Sequence, residues 1–205
     1  EFAGGVFSVK GSPDRAVPMA AIAFAAFTAH NLPDGLEPNL EAQYTYDPPN
    51  FSWPFGTHMC VLEVDTETGQ IEILKYVAVD DCGVQINPLI VEGQVHGGVI
   101  QGLAQALFEE AVYDTDGNLK TTTLAEYLVP AASDVPSITT AHTVTPSPTN
   151  QLGVKGIGEA GTIGAASTVI NAVVDALSGI GVTSMPMPAS PQTVWRAIQS
   201  AAKAK

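Results

Sequence analysis

Charged residues, and basic residues above all, are scarce in this 205-residue sequence. Asp, Glu, Lys and Arg together make up 14% of the chain, and eight Lys or Arg face 21 Asp or Glu, which gives a formal net charge of −13. In soluble domains the charged fraction is usually about a quarter. The scarcity predicts that much of the surface is buried against other protein, although a chain rich in Ala and Gly would have a similar composition. The acidic excess argues against nucleic-acid binding, because it repels phosphate backbones.

Cysteines and long apolar runs are also few. The two cysteines, Cys60 and Cys82, form no CxxC motif. This usage is typical of a reduced cytosolic protein, and nothing in the spacing demands a disulfide. The most apolar early run, Met19–Thr28, is too short to cross a bilayer. The chain begins with Glu1 and not with Met, which favours a piece of a longer polypeptide over a complete gene product.

Helical and strand patterns alternate along the chain and predict an α+β fold, with mixed sheets, hairpins and packed helices. Prolines and aromatic residues crowd residues 33–56, which are expected to form a long irregular connection held against a protein surface. The predicted helices are 12–32 with a second start after Pro18, 87–110 with Asn87 as its cap, 163–177, and a last helix opened by Ser190-Pro191 with Val194, Trp195 and Ile198 in the core. The predicted strands are a hairpin over 58–80, a shorter hairpin around the turn 114–117, and 138–145.

A glycine-rich segment, Gly153–Gly161, is the most informative stretch of the sequence. Gly156, Gly158 and Gly161 spell GxGxxG, the spacing of a dinucleotide-binding turn. That interpretation fails, because such a turn follows an apolar strand and residues 148–151 read Pro-Thr-Asn-Gln. An acidic residue, Glu159, also falls where the pyrophosphate would lie.

The physical character of the loop still points to a ligand site. Four glycines in nine residues let backbone N–H groups approach a ligand without interference from Cβ atoms. The loop then feeds the start of a predicted helix, whose N-terminus favours negative charge. Lys155 is the nearest cation in the sequence. Glu159 is therefore either a carboxylate fixed at a functional site or a simple helix cap, and the spacing alone leaves both open.

Several motifs, met in the same order along the chain, resemble the large subunits of molybdenum hydroxylases, the family of xanthine dehydrogenase, aldehyde oxidases and aerobic carbon monoxide dehydrogenase. The family's K-x-x-G-E motif corresponds to Lys155–Glu159. A second signature corresponds to Asp81-Cys82-Gly83 followed by residues 86–88, and a third to residues 92–98 followed by Gln101-Gly102-Leu103. The tail, with Met185-Pro186 and residues 194–198, is also similar to the end of these subunits.

The resemblance implies a role for each matching residue. Glu159 would be the active-site carboxylate beside molybdenum, and no protein side chain would ligate the metal. The cofactor would be a molybdenum–molybdopterin cytosine dinucleotide held between two large domains, of which this C-terminal segment forms one wall. The implied cofactor-binding residues are Gln94, Gly97, Gly98 and Gln101 on one side, and Lys155, Gly156, Ile157 and Gly158 on the other.

The resemblance also implies an activity and partners. These enzymes add a water-derived oxygen to their substrate and pass electrons to 2Fe-2S clusters and FAD on other subunits. The expected partners are the remainder of the large subunit, an FAD-binding medium subunit and an iron–sulfur small subunit, assembled as a dimer of heterotrimers. Residues 46–51 and 53–58 look most like the carbon monoxide dehydrogenase branch.

Two alternatives to carbon monoxide oxidation stay open. The substrate loop of that branch carries a reactive cysteine far upstream in a full-length subunit, and neither Cys60 nor Cys82 matches it. Hydroxylation of an aldehyde or an N-heterocycle is therefore one alternative. The other is a non-catalytic fragment that folds without cofactor. In either case we expect the segment to be inactive by itself, because the other wall of the cofactor site is missing.

Overall fold

The protein is described by a computed structural model that covers residues 1–203 and divides into two compact units, residues 1–47 and residues 48 onward. In the first unit, β1 (Phe2–Ala3), β2 (Val6–Val9) and β3 (Ser12–Pro18) form an antiparallel sheet, followed by α1 (Met19–Thr28). Within residues 1–47, all of which are described, Ala26 alone is buried. A unit with so little core of its own has the surface expected of a segment that other protein covers.

The predicted helix over residues 12–32 is wrong in its first third, because residues 12–18 form β3. Its register with β2 pairs Phe7 with Val17 and Val6 with Pro18. Proline disfavours the helical conformation of the residue before it, so Val17 is extended. The helix begins at Met19, directly after Pro18, where the sequence also predicts a second start.

The predicted irregular connection is confirmed as far as residue 54, where no helix or strand forms. The expectation that its aromatic residues are pinned against a surface is wrong for this chain. Tyr44, Phe51 and Trp53 are 85%, 77% and 72% exposed.

The second unit is built on a three-stranded mixed sheet. β4 (Phe55–Val64) and β5 (Ile71–Asp81) form the antiparallel hairpin that the sequence predicts. β6 (Ile138–His142) lies on the other side of β5 and runs parallel to it. The parallel pairing requires a long crossover between β5 and β6, and this crossover contains the first helix of the unit.

Three helices accompany the sheet: α2 (Pro88–Leu107), α3 (Ala160–Ser178) and α4 (Pro191–Lys203). The predicted cap of α2 is confirmed, since Asn87 Oδ1 accepts a hydrogen bond from the Ile90 amide at 3.3 Å. α3 begins three residues earlier than predicted and so includes the end of the glycine-rich segment.

Glycines let α2 and α3 approach each other closely. A Cβ atom on Gly161 would lie 2.7 Å from the Val95 carbonyl oxygen, and one on Gly102 would lie 2.8 Å from the Ala165 Cβ. A Cβ on Gly98 would lie 3.0 Å from the Gly161 Cα. Each distance is below ordinary van der Waals contact, so the helix spacing depends on the missing side chains.

The core of the second unit lies between the sheet and the helices. Its fully buried members include Tyr76, Val99, Leu103, Val169, Val173, Leu177 and Val194. α3 is long and apolar enough to cross a membrane by length and composition alone. Here it packs against α2 and β4 and buries Ala165, Val169, Val173 and Leu177 on one face.

Three smaller predictions need correction. The second hairpin is reduced to one bridge between Tyr113 and Leu119. β6 ends at His142, because the next residues turn their polar groups toward the end of β5. Trp195 is 43% exposed, whereas its predicted neighbours Val194 and Ile198 are buried.

Both cysteines have free thiols, and the thiol of Cys60, which is the less buried of the two, is a weak acid. Burial raises the pKa of Cys60 to about 11, and it also raises the pKa of Cys82. Because the thiolate is the reactive form, we expect slow alkylation of the folded chain near neutral pH. After unfolding without reductant, a thiol titration is expected to find both thiols. A titration that finds none would show the disulfide that the structure lacks between the two residues.

Candidate functional site

The carboxylate of Asp81, at the end of β5, is the best-connected polar group of the second unit. Its side chain is fully buried, and Oδ1 accepts hydrogen bonds from the amides of Gly83 at 2.9 Å and Thr145 at 3.1 Å. The Thr143 hydroxyl donates to Oδ2 at 2.9 Å. Lys155 Nζ lies 3.1 Å from Oδ1. One carboxylate therefore joins the end of β5, the segment after β6 and the glycine-rich segment.

These contacts decide the ionisation of Asp81. Burial alone would raise its pKa, but the hydrogen bonds from Gly83, Thr145 and Thr143 outweigh that effect and hold the pKa well below its usual range. The carboxylate is therefore ionised at neutral pH. It therefore stabilises the fold as an anion.

Backbone contacts fix the start of the glycine-rich segment against the residues after β5. The Gly153 carbonyl accepts from the Val84 amide at 3.0 Å, and the Lys155 amide donates to the Cys82 carbonyl at 2.8 Å. Gly83 and Gly153 both have positive φ angles, and a Cβ on Gly83 would overlap the Gly153 carbonyl oxygen. Only glycine at position 83 permits this approach.

Asn150 holds the same segment from the other side. Its side-chain amide donates to the Val154 carbonyl at 2.9 Å, and its Oδ1 accepts from the Val154 amide at 3.0 Å. The two bonds act as a clamp on residues 150–154. The segment is thus rigidly held before it reaches Gly156 and the start of α3.

The side chain of Lys155 makes its contacts within the fold. Its ammonium group pairs with Asp81 and lies 4.6 Å from the centre of the Phe55 ring, and its side chain is 7% exposed. Its amide is bonded to Cys82. The charge of Lys155, the nearest cation to Glu159 in the sequence, is therefore already paired with Asp81. The cofactor contact implied for Lys155 stays a prediction that its side chain does not support.

The exposed face of α2 meets the glycine-rich segment. Gln94 Oε1 lies 3.8 Å from the position that a Cβ on Gly158 would take. The Thr162 hydroxyl bridges the two elements, donating to the Gly98 carbonyl at 3.0 Å and approaching Gln101 Oε1 at 3.2 Å. Amide side chains of α2 and the backbone of the segment thus form one surface.

The glycines of this surface fall into two groups. No atom lies within 4 Å of a Cβ built on Gly97 or Gly156, and both residues are exposed. Gly98, by contrast, is buried in the contact between α2 and α3. Ile157 is partly buried and packs against the core. Gly97, Gly156 and Gly158 are therefore the positions where backbone faces open space, whereas Gly98 and Ile157 support the surface from within.

Glu159 lies at the edge of this surface, at the N-cap position of α3. Its side chain makes no capping hydrogen bond, and within residues 1–203 it has no hydrogen-bond or ion-pair partner. The carboxylate is exposed. The helix-cap alternative is thus not realised, and the positive end of α3 lies beside a carboxylate that is free to face a ligand.

Histidines do not build a metal site here. Within residues 1–203, no three His, Cys, Asp or Glu side chains lie together as a metal site requires. His96 is partly buried, and its Nε2 has no hydrogen-bond partner among these residues.

Sequence reasoning missed several residues that position the surface. Thr143, Thr145 and Asn150 are polar residues in a proline-rich stretch that carries no periodic signal. Their partners are far away along the chain or are backbone groups. The sequence offers one signal for this arrangement. Lys155 is an isolated basic residue, and Asp81 is an acidic residue at the end of a predicted strand, so the two could form a buried ion pair.

Comparison with known proteins identifies related chains. A family model described as "Molybdopterin cofactor-binding domain" matches residues 1–136. The match covers α2 but ends before the glycine-rich segment. The large chain of carbon monoxide dehydrogenase from Hydrogenophaga pseudoflava is 45% identical over 94% of this chain and 24% of its own length. The large subunit of nicotine 6-hydroxylase from Paenarthrobacter nicotinovorans is 42% identical over the same shares.

Solved structures confirm the α+β fold. The chain superposes on reconstituted carbon monoxide dehydrogenase from Oligotropha carboxidovorans with a TM-score of 0.90 and 36% identity, over 100% of this chain and 25% of that one. Quinoline 2-oxidoreductase from Pseudomonas putida 86 gives a TM-score of 0.88 and 42% identity, over 95% and 25%. The chain thus spans about a quarter of the length of these relatives.

Removal of the Asp81 charge is expected to destabilise the chain strongly. Asp81→Asn leaves Lys155 buried without its counter-charge, and breaking a buried pair in this way costs about 3–5 kcal/mol of unfolding free energy. Because the pKa of Asp81 is lowered in the folded state, its stabilisation is complete above the ordinary Asp pKa of about 4 and is lost as the pH falls below it. Urea unfolding across this pH range should show that the unfolding free energy falls less with decreasing pH in the variant than in the wild type.

The double variant Asp81→Asn with Lys155→Met is the control for that experiment. It removes both charges, so it should recover part of the lost stability. An equal loss of unfolding free energy at low pH in the wild type and in Asp81→Asn would contradict the role given to Asp81.

The two groups of glycines predict opposite effects of one added methyl group. Gly161→Ala forces Cβ against α2 and is expected to lower the unfolding free energy by about 1–3 kcal/mol. Gly97→Ala is the matched control, because its Cβ meets open space; alanine there should be neutral or stabilise α2 by up to ~1 kcal/mol. Thermal melts of both variants test this, and equal destabilisation would refute the distinction.

Proposed function

The chain belongs to the family of molybdopterin cofactor-binding domains, and from this premise we propose that it forms one wall of the active site of a molybdenum-dependent oxidoreductase. The reaction adds a water-derived oxygen to the substrate, and Glu159 is the active-site carboxylate. The observation that carries the proposal is the unpartnered carboxylate of Glu159, exposed at the start of α3 beside a surface of open glycines and glutamine side chains.

The residues present fit a pterin dinucleotide. Gly97, Gly156 and Gly158 offer backbone with room for a ligand where a Cβ would otherwise stand. Gln94 and Gln101 each carry a donor and an acceptor, which suits the edges of pterin and cytosine rings. These five residues would hold the cofactor, and the rigid clamps at Asp81 and Asn150 would keep their surface in place. The cytosine dinucleotide form is part of the proposal.

The chemistry divides between the cofactor and the chain. A bound molybdenum cofactor would supply oxygen transfer and accept the electrons of the oxidation. Glu159, as an exposed carboxylate with no internal partner, orients the attacking water or accepts its proton. Carbon monoxide has no C–H bond to break, so the orienting role suits that substrate. A C–H substrate would need proton acceptance as well.

Carbon monoxide is the first candidate substrate. The motifs over residues 46–51 and 53–58 support it, and so does the 45% identity to the Hydrogenophaga pseudoflava large chain. Hydroxylation of an N-heterocycle is the second candidate. The large subunit of nicotine 6-hydroxylase and the structure of quinoline 2-oxidoreductase, each 42% identical, support that alternative.

The proposed protein is larger than this chain and has partners. The remainder of the large subunit would supply the second wall of the cofactor site and would cover the exposed aromatic residues of the connection. FAD and 2Fe-2S clusters would lie on a medium and a small subunit, in a dimer of heterotrimers. These parts would carry electrons away from the site.

The test of Glu159 uses the complete enzyme. Glu159→Gln keeps the size of the side chain but removes its charge and basicity, so turnover should fall by at least ~100-fold, the lower range for a lost acid–base group. Molybdenum content and melting temperature should stay near those of wild type, because Glu159 makes no internal hydrogen bond. Turnover is measured with carbon monoxide, quinoline and nicotine.

Glu110→Gln is the matched control, since Glu110 is also exposed and lies beyond the C-terminal end of α2. Near-normal turnover of Glu159→Gln with normal molybdenum would reject the catalytic role. A complete protein purified without molybdenum and without a pterin nucleotide would favour the non-catalytic alternative.

A further inference from the structure

Three polar side chains that the proposed mechanism does not use lie together beside α3. The Tyr76 hydroxyl is 2.9 Å from His58 Nδ1, and His58 Nε2 is 3.4 Å from Asp80 Oδ1. Tyr76 is fully buried, and the side chains of His58 and Asp80 are 2% and 5% exposed. Polar groups buried this deeply in a small unit require a reason, because each costs free energy unless it is satisfied.

One tautomer of His58 lets the hydrogen bonds of this cluster run from Tyr76 to Asp80. Burial raises the pKa of Tyr76, so its phenol keeps its proton, and the Thr168 hydroxyl also bonds the phenol oxygen. With Thr168 as a donor, the phenol proton points to His58 Nδ1. The other ring nitrogen then carries the imidazole proton and donates to Asp80. The chain of donors ends on the Asp80 carboxylate.

One oxygen of that carboxylate is left without a donor. Asp80 Oδ2 is buried and has no hydrogen-bond partner within residues 1–203. The terminal torsion of an aspartate side chain is broad, so the carboxylate can turn this oxygen toward a neighbouring space. Asp80 therefore offers a vacant acceptor to any hydrogen-bond donor that enters beside it.

Two clefts border Asp80. The first, the α3 cleft, has a volume of about 150 Å³ and is lined by Gly56, His58, Asp80, Ala160, Ile163 and Gly164. The second, the β6 cleft, has a volume of about 270 Å³, and its lining includes Asp80, Cys82, Glu92, His142 and Ile157. Asp80 is the residue that the two linings share. Ala160, which lines the α3 cleft, directly follows Glu159 in the chain.

Two glycines keep space for this cluster. A Cβ on Gly164 would lie 2.6 Å from His58 Nδ1, and a Cβ on Gly56 would overlap Asp80 Oδ1. Both residues line the α3 cleft. Any other residue at either position would displace the imidazole or the carboxylate, so the local sequence is matched to the polar cluster.

We propose that Asp80, oriented by His58 and Tyr76, binds water in the α3 cleft and carries protons from that cleft to the β6 cleft. The inference rests on the proposed function, since oxidation by water releases protons that must leave the site. A water of the α3 cleft transfers one proton to Oδ2, where an O–H bond forms, and keeps the electron pair of its broken O–H bond. In the same transfer the water takes up a proton released by the oxidation, so that it remains a neutral water. The same proton then passes to a water in the β6 cleft, so Asp80 returns to its ionised form and no oxidant is consumed.

The kinetic experiment compares two variants of the complete enzyme. Asp80→Ala opens space for a small carboxylate, whereas Asp80→Asn fills the site but carries no proton. Both should lower kcat by ~10-fold or more, less than for a group that touches the reacting atoms, with KM and molybdenum content unchanged. Added formate should restore turnover of Asp80→Ala and leave Asp80→Asn unaffected. The solvent deuterium isotope effect on kcat should rise in Asp80→Asn.

A structural role would give a different pattern. Lowered melting temperatures, no rescue by formate and an unchanged isotope effect would overturn the inference. A crystal structure of the complete wild-type protein gives a readout without turnover: a water should lie within about 3.2 Å of an Asp80 carboxylate oxygen. A dry α3 cleft in an active enzyme overturns this inference alone, whereas an inactive wild-type holoenzyme overturns the proposed function and the proton transfer with it.

Discussion

The buried ion pair between Asp81 and Lys155 is the constraint on which the rest of the second unit depends. Two charges in a small core are costly, and they are tolerated because Asp81 also accepts hydrogen bonds from Gly83, Thr143 and Thr145. Every one of these partners belongs to a segment without regular structure. The pair therefore gives order to loops that hydrophobic burial alone would leave free to move.

The position of Glu159 follows from that order and from the spacing of two helices. The clamped segment delivers the chain to the start of α3, and the contact of Gly98 and Gly102 with α3 fixes its distance from α2. The proposed cofactor surface is thus made of a helix face and a loop that are held against each other. Preorganisation of this kind is what a cofactor site requires, because binding then costs little ordering of the protein.

The sequence predicts the elements that carry local signals. The hairpin of β4 and β5, α2 with its Asn87 cap and the start of α4 are set by alternation, capping and proline position, which neighbouring residues determine. The helix predicted over residues 12–18 is wrong because the pairing of this segment with β2 is not visible in its own residues. The pairing of Lys155 with Asp81 is not predictable for a related reason, since the two residues are 74 positions apart in the chain. The glycines around Glu159 indicate a ligand site from the sequence alone, whereas the choice between a functional carboxylate and a helix cap depended on the resemblance to a known family.

The parallel pairing of β5 with β6 also determines how the unit can form. Asp81 bonds with residues 62, 64 and 74 positions away in the chain, so these contacts raise the contact order of the unit. Closing such loops loses chain entropy before any contact compensates for it, which slows folding. The hairpin and α2 need only local contacts and are able to form first. The surface around Glu159 is therefore among the last features to form. Until it forms, the apolar faces of β5 and α2 stay exposed, and chaperones and proteases can reach them.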